Sequence, residues 1–373
     1  MYKIKNLWIM GLILILCLSF FSNIFAAEKY TIGIAAPFTG DGAMWGEMAK
    51  KGVELALKEI NSEGEIELVA IYEDDKAVPM DASLVAHRLT ENKNVIAVLG
   101  HVNSSCSIAA APIYAQGNLV MVTPCSTAYK VTHMGLKNVF RIITTDDIQA
   151  PQMADFISDE LNIKNAAVIY ENSDYGKGLV EGFIPQLEKK GGKVLGLESY
   201  VPNVDKDFSS IITKFKGTNA EALVIMGNYS EGGLITRWAR SLGWDVPIIV
   251  AAGCYQQRFI DIASAKYAEG VMAFTYWLAD YPDPVTQKFV TKFKETYNAD
   301  PNEQSAYYYD DVYLIAQAIK QGGTTREKLL EILPSIEYKG VTGLSKFNEY
   351  RDVPYKLQMK AVVKNGKFVA LAD

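Results

Sequence analysis

Histidine and cysteine are scarce in this 373-residue chain, three of one and four of the other. No metal-ligand cluster and no nucleophile–base pair can be read from them. The chain has no G-x-x-x-x-G-K-[ST], no H-E-x-x-H and no C-x-x-C. Gly40-Asp41-Gly42 with Gly46 is one residue out of step with a dinucleotide fingerprint, a weak signal even when complete. Strong charge is missing as well: 37 Lys and Arg against 43 Asp and Glu leave a formal −6. Mild acidity argues against nucleic acid and against an anionic membrane surface as partners. Beyond the amino-terminal stretch, no apolar run approaches the length of a membrane span.

What is present begins with a leader. Lys3 and Lys5 precede the apolar run Leu7–Phe21, and the small residues Ala26 and Ala27 stand before Glu28. This is the pattern of a secretory signal, residues 1–27, cleaved after Ala26 or Ala27. Leu16 stands before Cys17 where a lipoprotein site calls for a small residue, so a soluble exported protein is expected. The remaining chain is two charges more acidic and roughly 350 residues long, enough for two domains with separate cores. It keeps Cys106, Cys125 and Cys254. An odd number closes no complete disulfide framework, so unpaired thiols are expected, with a Cys106–Cys125 bridge as the alternative.

The organising stretch is VIAVLGHVNSSCSIAAAPIYAQGNLVMVTPCST, from Val95 to Thr127. Val95–Leu99 and Leu119–Val122 have the length and composition of buried strands, and Ser105–Gln116 between them is Ala-rich and helix-compatible. In a parallel sheet both strands end on one edge, where Ser104, Ser105, Ser126 and Thr127 would meet. Hydroxyls beside a helix N-terminus suit a carboxylate or other anion, although the same residues also serve as plain helix caps. Strand and helix patterns alternate on both sides of this stretch. They run from Tyr30–Ala36 through Met48–Ile60, Leu68–Tyr72 and Ala82–Glu91, and a second series follows from Met153 onward. The expected fold class is α/β, two doubly wound lobes without a sequence repeat between them.

Trp45, Ser104, Thr127, Tyr175 and Tyr229 each fall just past a predicted strand's carboxyl end, in both series. Open α/β sheets bind ligands at that edge, so the pattern supports binding rather than turnover. His101 follows the Val95–Leu99 strand and is expected to be structural, as are His87 and His133 on a helix and in a loop.

The stretch IGIAAPFTGDGAMWGEMAKKGVELALKEIN, followed in order by YEDDKAVP, VLGHVNSSCS, VMVTPCST, YENSDYGKGL, VPNVDKDFSSIITKFK and GVTGLSKFNEYRDV, resembles the periplasmic leucine/isoleucine/valine-binding proteins over almost the whole chain. The resemblance implies a type I periplasmic binding protein fold, two lobes joined by three crossovers. Lobe 1 would be residues 28–145 plus 276–349, and lobe 2 residues 146–275 plus 350–373. It also implies a periplasmic, monomeric, non-enzymatic receptor without a cofactor. Such a receptor closes on a small carboxylate or amino acid, here of branched-chain type, and delivers it to the membrane subunits of an ABC importer. Its carboxylate site would use Ser104 and the Cys125 to Thr127 stretch, with Trp45, Tyr175 and Tyr229 as lining aromatics. The acid that meets the ligand ammonium in the family falls on Ala252. A lost charge-assisted bond of that kind is worth about 1.5–3 kcal/mol. Two readings stay open: another acid, Asp147 or Glu231, replaces it, or the ligand is an aromatic or aliphatic carboxylate, or an amide, without an α-amine. A sensory domain of the same fold is a further alternative.

Overall fold

The computed structural model describes residues 27–356 and 358–371. The expected leader falls outside these residues apart from Ala27. A first sheet holds β1 (Glu28–Ala36), β2 (Ile66–Asp74), β3 (Val95–Leu99), β4 (Val120–Thr123) and β5 (Val139–Arg141). All pair in parallel, in the order β2-β1-β3-β4-β5. A second sheet holds β6 (Asn165–Glu171), β7 (Lys193–Tyr200), β8 (Ala222–Met226), β9 (Ile248–Val250) and β10 (Met272–Thr275). These are parallel in the order β7-β6-β8-β9-β10. Strands β11 (Glu337–Gly340) and β12 (Gly343–Lys346) form a separate hairpin, and β13 (Met359–Lys364) with β14 (Lys367–Ala370) extends the second sheet antiparallel from β10.

The two parallel sheets share one strand order, the first strand lying between the second and the third. In each, the chain direction of winding reverses beside that first strand, so the loops after β1 and β3, and after β6 and β8, diverge to leave a crevice. β3, β4, β8 and β9 are buried throughout, as strands covered on both faces must be. The helix Glu303–Lys320 returns from the far end of the chain to pack on Ala43–Glu63. There Gly52 is obligatory, because a Cβ would sit 2.2 Å from Ser305 O. The chain passes between the layers three times: after β5, after β10 and ahead of β13.

Helices begin earlier than their apolar periodicity suggests. Asp174–Lys189 starts at a Ser173 cap whose hydroxyl accepts from Gly176 N, although the apolar pattern begins only at Gly178. First turns are polar or glycine-rich and carry no periodic signal. In consequence Trp45, Tyr175 and Tyr229 sit in first helical turns rather than in loops. Between Thr127 and the second series lies the short strand β5. Cys106, Cys125 and Cys254 are unpaired, so the alternative bridge is not formed.

Candidate functional site

Between the two layers lies a cavity of about 310 Å³, at the small end of the range for ligand pockets. One wall comes from the first layer. Ser104 opens the helix Ser104–Gln116, and its residue before, Asn103, makes no side-chain cap bond. The first-turn amides therefore remain available to an anion. Ser104 Oγ accepts from Ala128 N at 3.1 Å, which fixes it beside Thr127 while leaving its proton free to be donated. Thr127 Oγ1 is buried without a hydrogen-bond partner among the described residues. It lies near enough to the Asp146 carboxyl to favour its ionised form, yet no bond of ordinary geometry joins them. Trp45 Nε1, Asn103 Oδ1 and Tyr276 OH, on three other residues of the lining, are likewise buried and unpartnered. Each such atom costs on the order of 1–3 kcal/mol until something bonds it.

Trp45, Ser104, Ser105, Cys125, Thr127, Tyr175 and Ala252 all line the cavity. Ser105 is committed elsewhere: its hydroxyl donates to Asp174 Oδ2 at 2.6 Å and accepts from Asp174 N at 3.1 Å, joining the two layers. Ser126 and Tyr229 are not on the lining. The Ser126 hydroxyl turns under the loop, 2.7 Å from Ser107 Oγ and 3.0 Å from the His101 carbonyl. Tyr229 closes the lip instead, its ring edge-on to Trp45 at 4.8 Å and its hydroxyl donating to Asp41 O. Tyr175 OH accepts from Gly253 N at 3.1 Å, tying the first turn after β6 to the turn after β9. None of the three histidines lines the cavity. His101 is buried in a structural role, Nδ1 2.6 Å from Asp75 Oδ2 and Nε2 3.2 Å from Tyr114 OH.

Four acids stand on the lining: Asp41, Glu171, Glu231 and Glu303. Lys206 bridges Asp41 and Glu231 at 2.8 Å each, spanning both layers. Glu303 accepts from Thr275 Oγ1 at 2.6 Å and Tyr276 N at 2.9 Å. Glu171, the last residue of β6, is buried, and the neutral amide of Asn228 donates to its carboxylate. Burial pushes its carboxyl up to about 7, aided by negative Glu231 and opposed by the Ser173 hydroxyl. Asn228 also packs on Gly253, the neighbour of Ala252, so Glu171 sits one side chain away from that position. Asp147 is exposed and absent from the lining, which removes it as a replacement acid, while Glu231 is present but already paired. Glu171 closes β6 at the edge where such sheets bind ligands, but nothing in the local sequence marks it as buried.

A family profile described as periplasmic binding protein matches residues 29–357. The chain belongs to the periplasmic binding protein family. A leucine-, isoleucine-, valine-, threonine- and alanine-binding protein from Pseudomonas aeruginosa is 32% identical to it over 339 residues, 90% of each chain. The isoleucine complex of a branched-chain amino acid transporter substrate-binding protein from Streptococcus pneumoniae superposes with a TM-score of 0.86 at 28% identity. A leucine-binding protein from Thermotoga maritima superposes with the same TM-score at 30% identity. Both superpositions cover 92% of this chain and 98% of the other. This periplasmic binding protein accordingly has the type I fold and is a solute-binding protein. Its family consists of binding proteins for transporters, which implies a place outside the cytoplasm. No helix among the described residues is long and apolar enough to cross a membrane.

Proposed function

We propose that this periplasmic binding protein captures an aliphatic α-amino acid of the branched-chain type by hinge closure, and delivers it to an ABC importer from outside the inner membrane. The observation that carries the reading is the pairing, among the described residues, of two unmet needs across one cavity: unpartnered Thr127 Oγ1 beside Ser104 on one wall, and Glu171 without a cation on the other. A zwitterion meets both. Its carboxylate takes the two hydroxyls and the helix amides, and its ammonium takes Glu171 in place of the acid that Ala252 does not supply. Apolar walls from Trp45, Val102, Ile143 and Tyr276 receive an aliphatic side chain.

A carboxylate without an amine is the second reading, favoured by Ala252 alone. Calorimetry separates them: leucine, isoleucine, valine, threonine and alanine run beside their deaminated acids. Stoichiometric binding of an amino acid, with its deaminated counterpart at least tenfold weaker, supports the first reading. Preference for the deaminated acid overturns it.

A further inference from the structure

Arg141 ends β5, immediately before the chain first leaves the five-stranded layer, and its side chain is fully buried. Its Nη1 donates to the carbonyls of Ser126 at 3.0 Å and Ala128 at 2.8 Å, the two residues flanking Thr127. Its Nε donates to Asp352 Oδ1 at 2.9 Å, and Nη2 lies 2.7 Å from the same oxygen. Nη2 also donates to Thr132 Oγ1 at 2.8 Å, whose own hydroxyl donates to Asp352 Oδ1 at 2.8 Å. Asp352 stands on the third passage between the layers, and there Arg141 N donates to Arg351 O at 3.0 Å. The Thr127 carbonyl accepts from Asp146 N at 2.9 Å, the first residue of the helix beyond the first passage. Three successive carbonyls, from Ser126 to Ala128, are thus held by groups at the two ends of the first passage.

A buried guanidinium needs a carboxylate, and Asp352 alone would supply one. Aiming Nη1 at both sides of Thr127 does more: the planar fork fixes the peptide planes that set the threonine's direction. Arg141, Thr132 and Asp352 are all absent from the cavity lining, so any effect they have on the ligand passes through that loop. We propose that Arg141 and Asp352 are positioning residues that bind the orientation of the Thr127 hydroxyl to the lie of the first and third passages, so that the grip on the ligand and the closure of the lobes are set together. The proposal rests on Thr127 being a ligand contact.

A double-mutant cycle tests it on the full exported protein, with leucine as probe, or whichever of isoleucine, valine, threonine or alanine binds tightest. Thr127→Val is expected to weaken binding at least tenfold. Asp352→Asn and Arg141→Lys are expected to weaken it about tenfold in the wild-type background and less than twofold in the Thr127→Val background. A purely structural ion pair would give the same factor in both backgrounds. Thermal melts establish that each variant folds, and Asp352→Asn carries the cycle if Arg141→Lys does not. Equal factors in both backgrounds, or no effect of Asp352→Asn on wild type, overturn the proposal alone. An unaffected Thr127→Val, or no binding by any of the five amino acids, removes the site reading and the proposal with it.

Discussion

The wall built on β1–β5 and the wall built on β6–β10 place their loops at the same topological point, yet they prepare for opposite charges by different means. The first uses neutral donors, two hydroxyls and a helix N-terminus, all within the Val95–Thr127 stretch. The second uses a buried carboxylate, Glu171, whose surroundings come from the loops after β6, β8 and β9. Neutral donors cost little to bury and are compact in sequence. A lone carboxylate is costly to bury, so its strength depends on every neighbouring charge. On the proposed function, the first wall is the general part of the receptor, and the second is where ligand identity is decided.

Four substitutions or conditions would break or sharpen that contrast. The largest effect is expected from Ser104→Ala with Thr127→Ala. Losing two bonds to a charged group, each about 1.5–3 kcal/mol, should weaken binding by about 100-fold or more for amino acids and deaminated acids alike. The thermal midpoint of the ligand-free protein should fall modestly, because Ser104→Ala leaves the buried Ala128 N without its acceptor while Thr127→Ala removes an unpartnered hydroxyl. Next, Glu171→Gln should weaken amino acids by about tenfold or more. Calorimetry should find deaminated acids unchanged or tighter, since the carboxamide keeps a partner for Asn228 but carries no charge.

The third contrast is in pH. Burial pushes the Glu171 and Asp146 carboxyls up to about 7 from ordinary values of 4.5 and 3.8. The folded protein thus holds protons that the unfolded chain has already released. These two groups make the ligand-free protein lose stability as pH rises from the ordinary carboxylate range to about 7, with no further loss above it. Scanning calorimetry at pH 5 and pH 8 should find the higher midpoint at pH 5, and the difference should shrink in the Asp146→Asn, Glu171→Gln control variant. The smallest effect belongs to the lip. Lys206 is 46% exposed at its side chain while it bridges Asp41 and Glu231. A bridge that exposed is worth on the order of 0.2–1 kcal/mol, so Lys206→Ala should weaken binding by about fivefold at most, and less at high salt.

Legibility followed the same division. Val95–Leu99 coincides with β3, because a fully buried strand is an unbroken apolar run with abrupt ends. β5 and the β11–β12 hairpin gave no such signal: β5 is buried but only three residues long, and the hairpin strands are four residues of mixed exposure. Ser104 and Thr127 were readable because their chemistry depends on local chain geometry. Glu171 was not, since its significance comes from what surrounds it: a burial that no other charge on the lining offsets. Tyr229 was placed at the right strand end but on the wrong task, as its ring reaches Trp45 and its hydroxyl the backbone of Asp41 across the closed lip. Only the relation between lobes reveals that.

The most direct measurement is the affinity of one aliphatic amino acid and of its deaminated acid, each by calorimetry from pH 5.5 to 8. If Glu171 receives an ammonium, the amino acid should bind more tightly as pH climbs, by up to about tenfold per unit, and level off near 7. The deaminated acid, facing a carboxylate that becomes negative, should bind more weakly over the same interval. Parallel curves for the two ligands would contradict the account.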